Sequence, residues 1–405
     1  MTPPQPKAPR PAPSSDFATD ATARVRELQL AVGKFIDGLP HRCATPAQLS
    51  RDLGLSPRSG WKVWRFVHES DPLSAVAFLP GDEGLALFMA AAQRAGASNE
   101  AQREVESALR SLAAFQEHHA GGDRTSFQAM ALGMLETGSE EATTPMRRHA
   151  YMGQSAQLGV QAQATYFLMV IEQLAGGEEW RLGGLRSFLG LRRHRPNAQC
   201  TIATQGIREP TEEATRPARQ RVWQLGNPGT FPLIDEFCSR PLPQVVPQER
   251  VDGREGFELA PGAVGTTGEV NCCVGSIHIF PRLPDNEAFM AYASNIPVKK
   301  AVVDVFVPHG SLSATPGFEA YNTQAGLAVA DHPKFQIPLF VPVQMLGKGL
   351  SGMNIAHAPR AKEMARYLFD AMKLDASDFE LLRVKITYPP VPAYMGIRVT
   401  FAQAR

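Results

Sequence analysis

Three basic side chains recur at helical spacing in RDLGLSPRSGWKVWR, the stretch from Arg51 to Arg65. Arg58, Lys62 and Arg65 fall at positions i, i+4 and i+7, which lie on one side of an α-helix. A row of cations on a helix can bind the phosphate groups of a nucleic acid. The same pattern is also typical of an ordinary solvated helix face. The elements around the row must therefore decide between these two interpretations.

Two short helices joined by a tight turn are predicted around this row. Thr45 and Ser56 are each followed by a proline, and a capping side chain before a first-turn proline is typical of a helix start. Gly54, which lies between them, can adopt the left-handed conformation that ends the first helix. The apolar stripe of the second helix is predicted to face the first helix, and it consists of Gly60, Val63, Trp64 and Val67.

The core of this segment, LSRDLGLS, resembles the helix-turn-helix superfamily of bacterial transcription regulators over about 22 residues. The resemblance implies a helix-turn-helix at residues 45–68 whose second helix enters the major groove of DNA. In such a motif the N-terminal residues of the second helix contact base edges, and flanking cations hold phosphates. The implied base contacts are Arg58, Ser59 and Lys62. The implied phosphate contacts are Arg42, Arg51 and Arg65.

Two departures from the family pattern change the expected geometry. Gly60 stands where the family usually has a branched apolar residue, so we expect the two helices to approach closely while Trp64 fills the gap. The segment after the second helix, HESDPLSAVAFLPG, indicates a short helix and a turn instead of the β-hairpin of winged-helix proteins. A wingless, all-helical variant is therefore expected. A corner in helical packing and a protein-binding groove remain alternatives for the same residues.

Two other patterns could in principle do chemistry. GKGLSG, from Gly347 to Gly352, satisfies G-x-G-x-x-G, but the helix and acidic residue of a dinucleotide site do not follow at the right spacing, so a loop is predicted. Cys272 and His278 share a strand face about 20 Å apart and cannot form a nucleophile–base pair. No catalytic residue, cofactor or metal site is predicted.

Composition limits the classes of protein to which this chain can belong. The formal net charge of +1 excludes a globally basic nucleic-acid coat protein but allows a local basic patch. The five cysteines are odd in number and include no C-x-x-C, which favours a reducing compartment. No apolar run reaches the ~18 residues of a membrane helix, and the N-terminal segment lacks the apolar core of a signal peptide. A cytoplasmic protein without a membrane partner is therefore predicted.

The expected fold class is multidomain, with an all-α N-terminal domain followed by a C-terminal α+β domain that has a mainly antiparallel sheet. Predicted boundaries are a disordered Pro/Ala-rich tail at 1–20, an all-helical domain at 21–190, a proline-rich connecting region at 191–261 and the α+β domain at 262–405. A long helix is predicted from Pro145 to Ala175. The last two strands, FELLRVKITYPP and AYMGIRVTFAQ, are expected to form a hairpin with an atypical turn or to lie at sheet edges.

The function that these patterns predict is that of a DNA-binding transcriptional regulator. Its partner would be double-stranded DNA, a homodimer would bind two half-sites, and the C-terminal domain would sense or assemble. No small-molecule effector can be named from the sequence. Two alternatives stay open: a scaffold protein in which the helix pair is only structural, and an enzyme whose site in the α+β domain has no linear motif.

Overall fold

In a computed structural model, the described residues are 17–40, 43–135, 140–177, 179–205, 221–230, 232–249, 255–281, 286–323 and 335–402. They divide into two compact units, Met1–Pro145 and Met146–Arg405. Arg42 and residues 1–16 of the predicted tail lie outside the described residues. The predicted tail boundary at residue 20 is wrong, because a helix already begins at Phe17.

The described part of the first unit is helical. Its helices are α1 (Phe17–Asp37), α2 (Pro46–Asp52), α3 (Pro57–His68), α4 (Pro72–Ala75), α5 (Asp82–Arg94), α6 (Asn99–Ala120) and α7 (Arg124–Gly133), with a 3-10 turn at Val76–Phe78. Helix α1 contacts α3, α4 and α6. It does so because its apolar residues recur at helical spacing and are buried, among them Val25, Leu28, Val32 and Phe35.

The predicted helical domain 21–190 extends too far. Helix α8 (Glu140–Leu158) crosses the division between the units, and strands β1 (Val160–Gln173) and β2 (Glu179–Arg193) follow it. The predicted helix from Pro145 to Ala175 therefore ends at Leu158, where Gly159 takes a left-handed conformation with φ +72°. The apolar run beyond it, YFLMVI, is rich in aromatic and β-branched residues, which favour strands. Periodicity alone cannot distinguish a buried strand from a buried helix in such a run.

The predicted connecting region 191–261 also belongs to the strand-rich unit. It contains β3 (Thr201–Gln205), β4 (Arg221–Gln224), β5 (Val245–Glu249) and β6 (Glu255–Leu259). Three of these strands form a sheet of their own in the order β3-β6-β5. The prediction was wrong because strands this short carry little alternation, and the prolines around them suggested a linker. The expected start of the second unit at residue 262 is thus replaced by Met146.

The remaining elements are β7 (Val270–Pro281), β8 (Glu287–Ser294), β9 (Val298–Pro308), β10 (Gly317–Asn322), β11 (Gln344–Lys348), α9 (Ala361–Met372), β12 (Phe379–Thr387) and β13 (Ala393–Thr400). A seven-stranded sheet has the order β11-β12-β9-β1-β2-β7-β4, and a three-stranded sheet has the order β10-β13-β8. Strands β1 and β9 pair in parallel, and the other ladders among the described residues are antiparallel. The expected order, a helical part followed by a strand-rich part with a mainly antiparallel sheet, is confirmed.

The two faces of the seven-stranded sheet lie in different cores. Alternate residues of β1 point to opposite faces, as in any strand. Phe167 belongs to the core shared with the three-stranded sheet, which contributes Tyr292 and Ile397. Tyr166 belongs to the core on the other face, where Leu368 of α9 packs. Residues on both faces of β1 are buried, so its sequence shows an apolar run instead of alternation.

The expected hairpin or edge position of the last two strands is wrong. Strand β12 lies between β11 and β9 in the seven-stranded sheet, whereas β13 lies in the middle of the three-stranded sheet. The two consecutive strands therefore belong to different sheets, and neither lies at an edge. Sequence patterns give the existence of these strands, but long-range pairing decides which sheet each one joins.

No single helix in the described ranges is long and apolar enough to cross a membrane, although the bent pair Pro72–Phe78 and Asp82–Arg94 together meet the requirements of length and composition.

Candidate nucleic-acid interface

Helix α2 begins and ends at the residues that the sequence predicts. The hydroxyl Oγ1 of Thr45 accepts a hydrogen bond from the backbone N–H of Gln48 at 3.2 Å. At the other end Gly54 has φ +62°, and the N–H of Leu55 donates to the carbonyl of Ser50 at 2.8 Å. These bonds satisfy backbone groups that a helix leaves unpaired at its ends. The turn between the helices is thus encoded locally.

Helix α3 is capped in the same way and lies against α2 at a very short distance. Ser56 Oγ accepts a hydrogen bond from the N–H of Ser59 at 3.1 Å. A β-carbon placed on Gly60 would lie 2.0 Å from Ser50 Oγ, which is far inside van der Waals contact. Glycine is therefore needed for this approach, and the expectation of close packing at Gly60 is confirmed.

The buried face of α3 differs from the predicted stripe. Val63 and Phe66 are buried, whereas Trp64 and Val67 are only half-buried. Trp64 stacks on His68 with ring centroids 3.8 Å apart, so it does not fill a gap beside Gly60. The buried face differs because α3 packs on α1 as well as on α2, whereas the predicted stripe was derived from contact with α2 alone.

A buried glutamine of α1 fixes the C-terminal end of α3. The Gln29 side chain is 2% exposed, and its amide nitrogen donates to the carbonyls of Phe66 at 2.7 Å and Glu69 at 2.9 Å. The last carbonyls of a helix have no partner within the helix, so this amide supplies one. The chain then continues into α4 and the 3-10 turn, and no β-hairpin follows α3 directly, as the sequence predicts.

Cations gather at the N-terminal half of α3. Arg58 is exposed and Lys62 is half-buried. The pKa of the Lys62 ammonium is lowered first by burial and then by the nearby charges of Arg58 and Arg124. The helical spacing predicts the pair of Arg58 and Lys62. The third cation, Arg124, comes from α7, and the sequence gives no sign of its proximity.

Packing around Phe78 places Arg124 beside α3. The ring of Trp61, which is 38% exposed, meets the ring of Phe78 edge-on with centroids 5.7 Å apart. The guanidinium of Arg124 donates to the carbonyl of Leu79, the next residue. Burial lowers the pKa of Arg124, while the nearby carboxylate of Asp82 acts in the opposite direction. We call Arg58, Lys62 and Arg124 the cationic cluster.

Arg65 departs from the expected outward row. Its guanidinium forms an ion pair with Glu69 at 2.9 Å, and Cζ lies 4.6 Å from the ring centroid of Phe78. The exposed fractions of the Arg65 and Glu69 side chains are 32% and 16%. The charge of Arg65 is therefore offset within the unit, which leaves the cationic row two residues long. Glu69 at i+4 was a sequence signal for this pairing.

The other predicted contacts are Ser59, Arg51 and Arg42. Ser59 is half-buried, and its hydroxyl lies 2.8 Å from the hydroxyl of Ser56, so it takes part in the cap. Arg51 is exposed on α2 next to the exposed Asp52. Arg42 lies outside the described residues, so its predicted phosphate contact stays a prediction.

The GKGLSG segment and the pair Cys272 and His278 lie among the described residues, where their surroundings can be compared with the chemistry considered for them. Helix α9 begins at Ala361, nine residues after the GKGLSG segment ends, so that segment is not followed by a phosphate-binding helix. His278 Nε2 lies 2.7 Å from Ser276 Oγ, and Cys272 is buried. No group of three or more potential metal ligands occurs among the described residues.

Comparisons with known proteins add no assignment. No protein-family description matches the sequence, and no curated protein matches it. A solved structure from Parabacteroides distasonis ATCC 8503, described as a "putative protease", matches with a TM-score of 0.27 and 8% identity. The match covers 59% of this chain and 40% of that chain. A likeness this weak carries no argument about fold or activity.

Proposed function

We propose that the protein is a DNA-binding transcription regulator and that the N-terminal half of α3 contacts double-stranded DNA. The cationic cluster carries this proposal. Two of its members, Arg58 and Lys62, have no acidic partner among the described residues. Burial, and after it repulsion from Arg58 and Arg124, lowers the pKa of Lys62. A polyanion would relieve this repulsion, and phosphate contacts supply most of the affinity of such proteins.

Each of these residues has a narrower role in DNA binding than the resemblance implies. Arg58 lies one residue into α3 and is exposed, so it is the first candidate for a base-edge contact. Lys62 and Arg124 are assigned to phosphates, and so is Arg51. Arg65 and Ser59 are assigned positioning roles, because each is already bonded within the unit. A homodimer on two half-sites and a cytoplasmic location belong to the same proposal.

Fluorescence anisotropy of a labelled duplex across a salt series tests this proposal. We expect wild-type affinity to fall with salt, with a log–log slope of about −0.9 for each phosphate contacted. The double variant Arg58→Gln, Lys62→Gln should bind more weakly, and its slope should be smaller in magnitude by about 1, because Lys62 is assigned to a phosphate and Arg58 to a base edge. The matched control is Arg110→Gln, which removes an exposed cation from α6 and should leave both quantities unchanged.

Two outcomes would contradict DNA binding by α3. The first is a wild-type protein that binds no duplex at low salt. The second is a double variant that stays folded and binds as well as the wild type. Either result would favour the scaffold alternative, in which α2 and α3 form only a packing corner.

A further inference from the structure

Two buried arginines of the second unit, Arg383 and Arg193, have polar partners for their guanidinium groups. Arg383 is 2% exposed and donates two hydrogen bonds of 2.6 Å to the carboxylate of Asp304. Arg193 is 8% exposed, and it donates to the carbonyl of Ala198 at 3.1 Å and also to the carbonyl of Leu259. Satisfied donors of this kind are the rule inside proteins. Arg186, on strand β2, can be compared with these two arginines.

Arg186 differs from these two arginines in its hydrogen bonds. Its Nε is buried without a hydrogen-bond partner, and no acidic side chain pairs with it among the described residues. The guanidinium instead lies over two aromatic rings, with Cζ 5.0 Å from the centroid of Phe167 and 4.4 Å from that of Phe188. Burial lowers the pKa of Arg186 to about 10, so the group is still a cation at neutral pH. A guanidinium that loses part of its hydration over two rings, with no counter-charge among the described residues, is unfavourable.

A second unpartnered donor lies close by. Tyr292 is 4% exposed, and its hydroxyl has no hydrogen-bond partner within the described ranges. Its ring stacks on Phe167 with centroids 3.8 Å apart, so the Arg186 Cζ and the Tyr292 ring centroid, both measured to that same ring, are at most about 9 Å apart. Cys200, which is also near Arg186, cannot supply the negative charge, because burial raises the pKa of its thiol to about 12.

We propose that Arg186 and Tyr292 form a binding site for a small organic carboxylate. The guanidinium would take the carboxylate, since its fork of N–H groups matches two carboxylate oxygens. The Tyr292 hydroxyl would donate to the same group, and the apolar part of the ligand would pack beside Phe167 and Phe188. Aromatic walls favour an organic anion over a strongly hydrated inorganic one. Arg186 as a whole is half-buried, so part of the residue lies at the surface of the unit.

Thermal unfolding of the full chain tests this site directly and does not depend on DNA binding. The probes are sodium benzoate, sodium hexanoate, the uncharged isostere benzamide and inorganic phosphate. We expect at least one carboxylate to raise the Tm by about 3 °C for each tenfold rise in concentration above its Kd. Benzamide and phosphate should have no such effect.

Variants on the same strand separate a binding role from a structural one. Arg186→Met should abolish the carboxylate response and raise the Tm without ligand, since it removes an unpaired charge. Arg186→Lys keeps the charge and loses the fork, so it should stay folded and respond more weakly. The matched control is Arg181→Met: Arg181 is also on β2 but is paired with Glu172, and its loss should leave the response unchanged.

Several results would overturn the site. It is wrong if neither carboxylate shifts the wild-type Tm, or if benzamide or phosphate shifts it equally. It is also wrong if the response survives in Arg186→Lys at full strength. A lower Tm for Arg186→Met together with an absent carboxylate response would mean that the guanidinium only stacks on its two rings.

Discussion

Replacing Gly60 with alanine should weaken the contact between α2 and α3. A β-carbon at this position would lie 2.0 Å from Ser50 Oγ, 3.0 Å from Ser50 Cβ and 3.1 Å from Ser50 Cα. Rotating the serine hydroxyl would relieve only the first of these contacts, and that hydroxyl donates to the carbonyl of Pro46 at 2.8 Å. The two helices must therefore move apart.

The size of the effect follows from two opposing contributions. Overpacking of a close contact typically costs about 1–3 kcal/mol. Alanine in the interior of a helix is favoured over glycine by about 1 kcal/mol. The balance predicts that the free energy of unfolding falls by up to about 2 kcal/mol. The new angle of α3 should also lower DNA affinity, if α3 contacts DNA as proposed.

Urea unfolding followed by far-UV circular dichroism measures this loss. Gly33→Ala on α1 is the matched control, because its β-carbon would meet Val67 Cγ1 at an ordinary 3.5 Å. That variant should be stabilised by up to about 1 kcal/mol, since only the helix preference changes. Adding Ser50→Ala to Gly60→Ala should recover part of the loss, because the oxygen at 2.0 Å is then gone.

Either of two results would contradict close packing at Gly60. One is a Gly60→Ala variant that is stabilised as much as Gly33→Ala. The other is an effect of Gly60→Ala that is the same with and without the Ser50 hydroxyl, since residues in contact should show a coupling energy of at least about 0.5 kcal/mol.

Three further predictions concern charges. Burial and two neighbouring cations lower the pKa of Lys62, so Lys62→Met should raise the free energy of unfolding at neutral pH by about a few tenths of a kcal/mol. Urea unfolding at several pH values should show this gain vanish as the pH approaches the usual lysine pKa of 10.5. Arg383→Leu should lower the free energy of unfolding by about 3–5 kcal/mol, because it leaves the Asp304 carboxylate buried without its counter-charge. A double variant that also carries Asp304→Leu should lose less stability, and an equal loss would contradict the pairing. Burial lowers the pKa of His278 below its usual 6.5, so the free energy of unfolding should fall as the pH drops below that value, by at most about 1.4 kcal/mol per pH unit. The Tm measured at several pH values should fall less in His278→Asn than in the wild type.

Local signals in the sequence were sufficient for the helix pair. Thr45, Gly54 and Ser56 act through hydrogen bonds and backbone angles within a few residues, so their effect can be derived without knowing the fold. The Arg65–Glu69 pair was equally local and could have been predicted from its i+4 spacing. The secondary-structure predictions are wrong where short-range signals conflict. The apolar run after Gly159 is an example, because it is compatible with a buried helix and with a buried strand.

By itself, the sequence determined the ends of α2 and α3, the close approach at Gly60 and the order of a helical part before a strand-rich part. Only the tertiary structure decided that Arg124 joins Arg58 and Lys62, that the two last strands lie in different sheets, and that Arg186 has no counter-charge in the part of the chain that the structure describes. The reason is physical: caps and turns depend on neighbours along the chain, whereas charge clusters and sheet order depend on residues that folding brings together from distant positions.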